Sequence, residues 1–381
     1  MIKYGGRIMA IAEDELLAFA WLGREVGFDV LEQEVIFRDL CSGCGSCSAV
    51  CPENVIEVDE LPRLTGKCTE CAYCLMSCSR SYFSAEEIEK KLFGEVSEDI
   101  LGNSISKVGM RTKIEEFQTV VQDGGFVTTF LKYALEKGYI DGAIVSGVKA
   151  ENRWYPEPKL VTNVKELPET AGTRYSNSAN LSVLKEAGEK GLKKLAIVGL
   201  PCQIEAARKL QYYPFDDIKL GNIIKYTVSI FCTSNFKYEG LMHTLVRDTY
   251  GVDIEDIVKM DIKGKNVLVF TKNEKIEVPL KEAYRHKREG CKVCTDFTGR
   301  LADFATGSVG APDSYNSVFA RNEEAARMLD EMIEENLFDV VKLSEDKKGL
   351  GVVNFLQQRK EKNAKKVIRK KIRGVLPLPF K

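Results

Sequence analysis

Two groups of four closely spaced cysteines are the residues best suited to chemistry in this sequence. The first group has the spacing C-x2-C-x2-C-x3-C and is followed by Pro52, and the second group repeats that spacing further along the chain. Three thiolates on one short loop can hold three irons of a cubane cluster. The spacing therefore predicts two [4Fe–4S] clusters. The eight predicted ligands are Cys41, Cys44, Cys47, Cys51, Cys68, Cys71, Cys74 and Cys78.

The two groups resemble the paired loops of bacterial ferredoxins, in which the fourth cysteine of each run ligates the other cluster. The resemblance implies that Cys78 completes the site of the first run and that Cys51 completes the site of the second. One position departs from the pattern, because Ser79 follows Cys78 where proline is usual. A disulfide scaffold is typical of small secreted domains, and zinc knuckles need two close pairs with a longer gap between them. Both alternatives fit these runs less well.

Four further cysteines lie much later in the chain. Cys202 follows the apolar stretch KLAIVG, Cys232 ends the apolar stretch KYTVSIFC, and Cys291 and Cys294 form a CKVC pair. Taken singly, Cys202 and Cys232 are equally well explained as buried apolar residues. Together with the CKVC pair they predict a four-thiolate metal site built from three separate loops. Their spacing does not separate zinc from an iron–sulfur cluster.

The composition narrows the classes of protein to consider. The chain has 381 residues, twelve cysteines, two histidines and a formal net charge of −1. This length predicts two or three domains, and the excess of cysteine over histidine favours thiolate metal chemistry in a reducing cytoplasm. The near-neutral charge predicts no broad surface for nucleic acid. The chain has no apolar run of about 18 residues, so no membrane-spanning helix is expected, and no secretory signal is recognised.

The first part of the chain divides into three predicted segments by apolar periodicity. Residues 1–36 form a helical extension, with its helix over residues 12–25, and this helix is expected to pack on the cluster module. Residues 37–83 form the ferredoxin-like module. Residues 84–110 form a helix and then a linker, and Ser84 before an acidic first turn is typical of a helix N-cap.

Residues 111–345 are predicted to form the main domain. Apolar strands at 194–199 and 225–232 each end close to one of the later cysteines, and residues 267–280 predict a hairpin. Residues 322–337 predict an amphipathic helix. The fold class is therefore α/β, a mixed α+β core domain with an N-terminal bacterial ferredoxin-like two-cluster module. Open α/β sheets bind ligands beyond the carboxyl ends of their strands, so the site is expected at that edge.

The QDGG turn at residues 122–125 precedes a predicted helix. Gly124 and Gly125 allow backbone N–H groups to approach a ligand closely, and the N-terminus of a helix favours anions such as a pyrophosphate. Taken alone, this turn is equally well explained as a plain tight turn.

Seven stretches of the main domain resemble a known family. They are QDGG (122–125), GTRYS (172–176), VGLPCQ (198–203), FCTSNFKYEG (231–240), KMDI (259–262), CKVCTDFTGRLAD (291–303) and TGSVGAPD (306–313). They are similar to the beta subunit of coenzyme F420-reducing hydrogenase and its relatives in the coenzyme F420 hydrogenase/dehydrogenase beta-subunit family. The double-cluster module ahead of them is similar to that of input subunits of F420 dehydrogenases.

The resemblance implies two cofactors in the main domain. Cys202, Cys232, Cys291 and Cys294 would ligate a third [4Fe–4S] cluster, and FAD would lie beside it. The residues implied to bind FAD are Gln122, Asp123, Gly124, Gly125, Thr128, Thr173, Tyr175, Ser176 and Asn235. The chain departs from the family at VGLPCQ, which usually has a small residue before proline, and at FCTSNF, where some relatives have an acidic residue before asparagine.

The function implied is an F420-dependent oxidoreductase subunit of the kind found in archaeal methanogenesis. It would exchange a hydride with coenzyme F420 at FAD, which accepts two electrons and releases them singly, and relay electrons through three clusters. Oxidation of reduced F420 is the favoured direction. No acid–base residue is expected, because hydride passes between stacked rings. Basic residues considered for the anionic tail of F420 are Arg174, Arg208 and Lys209, although solvated surface charge is the simpler interpretation.

Two alternatives remain open at this point. One is a ferredoxin-linked flavin reductase of the same family that acts on another substrate. The other is a flavin-free multi-cluster electron carrier. For the favoured function, an F420-dependent oxidoreductase subunit, the implied partners are a membrane F420 dehydrogenase complex, a hydrogenase or a heterodisulfide reductase.

Residues 346–381 form a basic tail. Nine of the fifteen residues from 359 to 373 are lysine or arginine, which predicts a basic amphipathic helix. Its apolar stripe consists of Ala364, Val367, Ile368 and Ile372. Either the stripe packs on the protein, or the helix docks on an acidic partner or on the cytoplasmic face of a membrane.

Overall fold

The computed structural model of the chain describes residues 26–81, 83–213 and 219–371. The helix predicted over residues 12–25 lies outside this part. Within it, a small cluster module packs against a larger α/β domain, and a three-stranded sheet is attached to that domain.

The strands are short in the cluster module and longer in the main domain. They are β1 (Ile56–Val58), β2 (Pro62–Leu64), β3 (Ser106–Thr112), β4 (Gly142–Lys149), β5 (Asn152–Val161), β6 (Leu195–Gly199), β7 (Ile224–Ile230), β8 (Ile257–Lys263), β9 (Asn266–Thr271), β10 (Lys275–Pro279), β11 (Phe304–Gly307), β12 (Asn316–Ala320) and β13 (Phe338–Lys342).

The helices vary from single turns to a long C-terminal helix. The α-helices are Phe28–Leu31, Ser46–Ala49, Tyr73–Met76, Ala85–Phe93, Glu115–Gln118, Phe126–Glu136, Leu167–Thr170, Leu184–Glu189, Pro201–Tyr212, Leu280–Ala283, Glu323–Glu334 and Leu350–Lys371. The π-helices are Glu32–Ile36 and Glu239–Thr249. The 3-10 turns are Val164–Glu166, Asn180–Val183, Leu220–Ile223, Ile254–Asp256, Tyr284–His286 and Glu289–Val293.

The main domain is organised by an eight-stranded sheet with the order β13-β3-β12-β11-β7-β6-β4-β5. The central strands β11, β7, β6 and β4 run parallel, and the outer strands pair antiparallel. This mixed sheet confirms the predicted α/β fold class. Strands β6 and β7 lie side by side, so the chain segments that carry Cys202 and Cys232 leave the sheet at the same edge.

Strand β3 lies inside the sheet, between β12 and β13. Its residues up to 110 fall in the segment predicted as a linker, where glycine and serine suggest irregular structure. The glycine has a packing role, because a Cβ built on Gly109 would lie 2.6 Å from the side chain of Val341 on β13. A glycine inside a strand thus marks close approach of a neighbour, not a flexible connection.

Several predicted elements are present with the expected ends. Ser84 Oγ accepts a hydrogen bond from the backbone N–H of Glu87 at 3.3 Å and caps the helix Ala85–Phe93. Asn322 Oδ1 accepts from the N–H of Ala325 at 2.8 Å and caps the helix Glu323–Glu334. Strands β9 and β10 form the predicted hairpin, with Asn273 between them.

The C-terminal helix, Leu350–Lys371, runs from the main domain to the cluster module. Val353 is fully buried among apolar residues of the main domain, and Val367 and Ile368 pack against the apolar core of the cluster module. Ala364 is also buried, whereas Ile372 lies outside the described residues. The described part of the apolar stripe therefore packs on the protein, which is the first of the two interpretations. No helix in the described part of the chain is long and apolar enough to span a bilayer.

Candidate functional site

Two cavities in the cluster module are lined by the eight N-terminal cysteines. Cys41, Cys44, Cys47 and Cys78 line one cavity. Cys51, Cys68, Cys71 and Cys74 line the other. The fourth cysteine of each run thus lies at the cavity of the other run, which is the grouping predicted above. Binding of clusters by these residues stays a prediction.

The chemistry of these cysteines fits clusters. Burial, followed by the neighbouring Cys78 thiolate, raises the pKa of Cys44 to about 11. Burial, followed by the Cys68 thiolate, raises the pKa of Cys74 to about 12. Such thiols ionise only when positive charge compensates, and the irons of a cluster supply it. In the described part of the chain, no group of three or more histidine, cysteine, aspartate or glutamate side chains converges to hold a single metal ion, so the two cysteine sites are assigned from the residues that line the cavities.

The structure also brings the four later cysteines together. Cys202 lies in the first turn of the helix Pro201–Tyr212, just beyond β6, and Cys232 follows β7. Desolvation raises the pKa of Cys202, and the Cys294 thiolate adds to the effect. Desolvation likewise raises the pKa of Cys232 to about 12, with further contributions from Cys291 and Cys294. Cys202 and Cys232 therefore lie close enough to Cys291 and Cys294 for their charges to interact, which places the four thiols at one site.

Backbone hydrogen bonds hold the loops of this site. The N–H of Cys232 donates to the carbonyl of Phe297 at 2.9 Å. The N–H of Asn235 donates to Cys291 Sγ at 3.4 Å. Asp296, two residues after Cys294, accepts from the N–H of Gly299 at 2.8 Å. The first two bonds join the loop of Cys232 to the loop of Cys291 and Cys294, and the third holds that second loop in shape.

Lysine side chains that the sequence does not predict lie beside this site. Lys360, on the C-terminal helix, is only 9% exposed and donates to the carbonyl of Cys232. Burial lowers its pKa, but the thiolates of Cys294 and Cys232 outweigh burial and raise it above its ordinary value. Burial lowers the pKa of Lys287 near the same cysteines. Lys360 lies within the basic run, where no pattern distinguishes it from surface lysines.

A cavity of about 280 Å³ adjoins the four-cysteine site, and Cys232 lines both. Eight of the nine residues predicted to bind flavin line this cavity, namely Gln122, Asp123, Gly125, Thr128, Thr173, Tyr175, Ser176 and Asn235. Gly124 lies behind the wall. A Cβ built on it would lie 2.2 Å from the carbonyl oxygen of Met110 and 2.3 Å from the backbone nitrogen of Asn316. Gly124 thus lets the turn pack on β3 and β12.

The cavity wall has features that suit a flavin nucleotide. Gly125 has φ +71° and begins the helix Phe126–Glu136, whose N-terminus can favour an anion. Asn235 Oδ1 and Thr306 Oγ1 are buried and lack a hydrogen-bond partner in the described structure. A ligand with N–H groups would satisfy such acceptors, since burying them unpaired is costly. These residues therefore fit FAD.

The three basic residues considered for the F420 tail have different positions. Arg174 lines the cavity, and its Nη1 donates to the carbonyl of Ala171 at 2.6 Å. Arg208 and Lys209 are buried away from the cavity, so both the proposed contact with the F420 tail and the interpretation as solvated surface charge are wrong for them. Arg208 Nη2 lies 2.9 Å from Asp303, and Lys209 Nζ donates to the carbonyl of Cys78 at 2.8 Å. Their helix packs this face inward, where both charges are paired or hydrogen-bonded.

Gln203 is a further cavity residue that the prediction left out. Its Nε2 donates to the carbonyl of Ser178 at 2.6 Å, and its Oε1 accepts from the N–H of Leu200 at 2.8 Å. These bonds connect two segments of the cavity wall. The signal was present, because Gln203 ends the VGLPCQ stretch.

The fold and site define a class of protein: an α/β domain with a cavity beside a four-cysteine site, preceded by a ferredoxin-like module. Comparison with family profiles assigns residues 108–185 and 192–346 to the N-terminal and C-terminal parts of the coenzyme F420 hydrogenase/dehydrogenase beta subunit. Residues 34–57 match a 4Fe-4S binding domain. The chain belongs to the coenzyme F420 hydrogenase/dehydrogenase beta-subunit family, as the sequence predicts.

Similar proteins agree with this assignment. The chain is 38% identical to the coenzyme F420 hydrogenase subunit beta of Methanothermobacter thermautotrophicus, over 74% of this chain and 100% of that protein. It is 36% identical to a coenzyme F420-dependent sulfite reductase of Methanocaldococcus jannaschii, over 89% of this chain and 52% of that protein. The chain thus spans about half the length of that relative. These relatives are F420-dependent oxidoreductases, the enzyme class predicted above.

A solved structure shows the same fold. A chain of the F420-reducing [NiFe] hydrogenase complex from Methanosarcina barkeri superposes with a TM-score of 0.71 at 32% identity. The match covers 75% of this chain and all of that chain.

Proposed function

We propose that this chain exchanges a hydride with coenzyme F420 at FAD bound in the 280 Å³ cavity and relays single electrons through three [4Fe–4S] clusters to or from a partner complex. Oxidation of reduced F420 is the favoured direction. The observation that carries the proposal is a shared wall: Cys232 and Asn235 line the cavity, and the same segment forms part of the four-cysteine site.

The residues of this chain would bind and orient the reactants. FAD, when bound, accepts two electrons together and releases them singly, which suits it to stand between a hydride donor and clusters. Asn235 and Thr306 offer acceptors, the Gly125 turn presents a helix N-terminus, and Phe231 contributes apolar surface to the wall. Gln203 holds two wall segments in place.

The three cysteine sites lie in a row, from the four-cysteine site beside the cavity through the Cys41 site to the Cys51 site. A Cβ built on Gly290, next to Cys291, would lie 2.1 Å from the carbonyl oxygen of Cys41, so the loop of the four-cysteine site touches the first cluster loop. The site of Cys41 in turn shares its module with the site of Cys51, near which Thr69 and Glu70 are exposed. This order supports a relay from the cavity to the surface around Thr69, where a partner would exchange electrons.

Anaerobic spectroscopy tests the proposal. The purified chain is expected to contain about twelve irons and one flavin, and reduced F420 should bleach the flavin bands. With a viologen dye as acceptor, reduced F420 should support turnover, whereas NADH and NADPH should not. Flavin that stays oxidised with reduced F420 would favour another substrate, and a chain with iron but no flavin would be a carrier only.

The C-terminal helix is proposed to guide association through its exposed charges. Lys362, Lys366 and Arg369 are exposed on it. Reversing all three to glutamate is expected to weaken binding to anionic lipid vesicles on the order of a hundredfold, at about 1 kcal/mol per basic residue. Cosedimentation at low and high salt measures this effect, and turnover with viologen should be unchanged.

A matched control reverses Lys90, Lys193 and Lys265, which are exposed elsewhere. Equal losses in both triple variants, or none in the first, would contradict membrane docking by this helix and leave an acidic partner subunit to be tested in the same way. Deletion of residues 359–381 is a poorer test, because it also removes Lys360 from the four-cysteine site.

A further inference from the structure

Arg80 lies between two of the predicted cluster sites. It comes two residues after Cys78, and its backbone N–H donates to Cys78 Sγ at 3.4 Å. Its side chain is almost fully buried, and its charge acts on Cys294 and Cys202 of the four-cysteine site and also on Cys44 of the first cluster site. Arg80 therefore contacts the Cys78 segment with its backbone and the four-cysteine site with its guanidinium.

The guanidinium of Arg80 is incompletely paired by the protein. Its Nη1 lies 3.4 Å from Glu205 Oε2, and the guanidinium also interacts with the Cys294 thiol, while Nε and Nη2 are buried and meet no partner at hydrogen-bond geometry among the described residues. Burial alone lowers the pKa of Arg80, but Glu205 and the thiolates of Cys294 and Cys202 outweigh it and raise that pKa. The two unpaired donors are therefore available to sulfur atoms of a cluster between these cysteines, and buried donors require such partners.

Glu205 completes the arrangement with a negative charge. It lies one helical turn after Cys202 on the helix Pro201–Tyr212 and is 1% exposed. Burial outweighs the attraction of Arg80 and raises the pKa of Glu205 to about 7. Lys209, one further turn along, donates to the carbonyl of Cys78 at 2.8 Å. A single helix thus carries a predicted ligand, an anion beside that ligand and a lysine that holds the Cys78 segment.

We propose that Arg80 and Glu205 are positioning residues that set the reduction potential of the cluster held by Cys202, Cys232, Cys291 and Cys294. Reduction adds one electron to a cluster, so a nearby cation favours the reduced state and a nearby anion disfavours it. Arg80 raises the potential and Glu205 lowers it. The inference rests on the proposed third cluster. It also gives a reason for the departure from the ferredoxin pattern after Cys78, because Ser79-Arg80 replaces the usual proline turn with a charged link to the next site.

An anaerobic redox titration of the full chain, followed by electron paramagnetic resonance at pH 8, tests the proposal. The signal of the third cluster is identified by its absence from a Cys291→Ser variant. Arg80→Met is expected to lower the midpoint potential of that signal, and Glu205→Gln is expected to raise it. Each shift should correspond to about a tenfold change in the reduction equilibrium, which is about 59 mV for one electron. Arg80→Lys, which keeps the charge, should stay near wild type.

A matched control uses a second arginine–glutamate pair, in which Glu89 is buried and Arg300 is partly buried. Arg300 Nη2 lies 3.1 Å from Glu89 Oε1, and this nitrogen also contacts the carbonyl of Ser97. Arg300→Met and Glu89→Gln should leave the potential unchanged. Shifts in the same direction for Arg80→Met and Glu205→Gln, or no shift in either, would overturn the proposal, because a merely structural role does not predict opposite signs.

Two further outcomes are decisive. If Arg80→Met fails to assemble the third cluster, Glu205→Gln decides alone: a rise supports the proposal and an unchanged potential overturns it. If the wild-type chain holds only about eight irons, the proposed third cluster is wrong and the inference falls with it. A full iron content with unshifted potentials overturns the inference alone.

Discussion

Replacing Cys291 with serine is expected to stop electron flow at the flavin while hydride exchange with F420 continues. Cys291 lies next to the cavity wall. The backbone N–H of Asn235, a residue of that wall, donates a hydrogen bond to the sulfur of Cys291. Loss of this thiolate would remove one ligand of the proposed third cluster, which adjoins the proposed flavin cavity. We expect iron to fall from about twelve to about eight per chain, and viologen reduction by F420 to fall at least about a hundredfold.

Stopped-flow mixing with reduced F420 separates the two steps. In the variant, flavin bleaching should keep its rate and stop after one equivalent of reduced F420. A Cys71→Ser variant is the matched control, because Cys71 lines the outermost cavity of the cluster module. It should also lose about four irons, yet electrons should still pass beyond the flavin to the third cluster. Equal behaviour of the two variants would contradict the proposed order of sites.

Replacing Gly124 with alanine is expected to destabilise the main domain by about 3 kcal/mol and to abolish flavin retention. The added Cβ would lie 2.2 Å from the carbonyl oxygen of Met110 and 2.3 Å from the nitrogen of Asn316. Both atoms belong to paired strands of the sheet, so the turn must move instead. Overpacking that forces such backbone shifts costs about 1–3 kcal/mol, occasionally more. Thermal unfolding and flavin content after gel filtration measure the effect.

Gly138→Ala serves as the control for this prediction. Gly138 has φ +70°, and a Cβ built on it would meet no atom within 4 Å. Its substitution should therefore cost only the strain of the left-handed conformation, about 1–2 kcal/mol, and flavin should be retained. If Gly124→Ala behaves no worse than Gly138→Ala, the packing role of Gly124 is wrong.

The parts predicted correctly from sequence are those that short-range patterns encode. Helix caps at Ser84 and Asn322 and the hairpin around Asn273 depend on residues a few positions apart, so they are visible in the sequence. The cysteine spacing likewise indicates which thiols gather in the cluster module. The QDGG, GTRYS and FCTSNFKYEG stretches contain most of the predicted residues that line the cavity, and they were identified through a family resemblance, not through periodicity.

The parts missed depend on contacts between distant segments. In the sequence, Gly109 indicates a linker. In the structure, it lies in a strand that packs against β13, which comes more than two hundred residues later in the chain. Arg208 and Lys209 have the composition of a surface helix, and only the position of Asp303 and of the Cys78 carbonyl explains their burial. Lys360 and Arg80 reach the four-cysteine site from opposite ends of the chain. No local pattern distinguishes such residues.

The C-terminal helix has a consequence for how the protein is made. All twelve cysteines precede Leu350–Lys371 along the chain, and chains begin to fold from the N-terminus during synthesis. The four thiols around Cys232 therefore leave the ribosome before Lys360 exists to bind the Cys232 carbonyl. The iron and sulfide of the proposed third cluster would therefore have an interval in which to reach these thiols. In the finished fold the same helix contacts that site through Lys360 and packs on both the main domain and the cluster module.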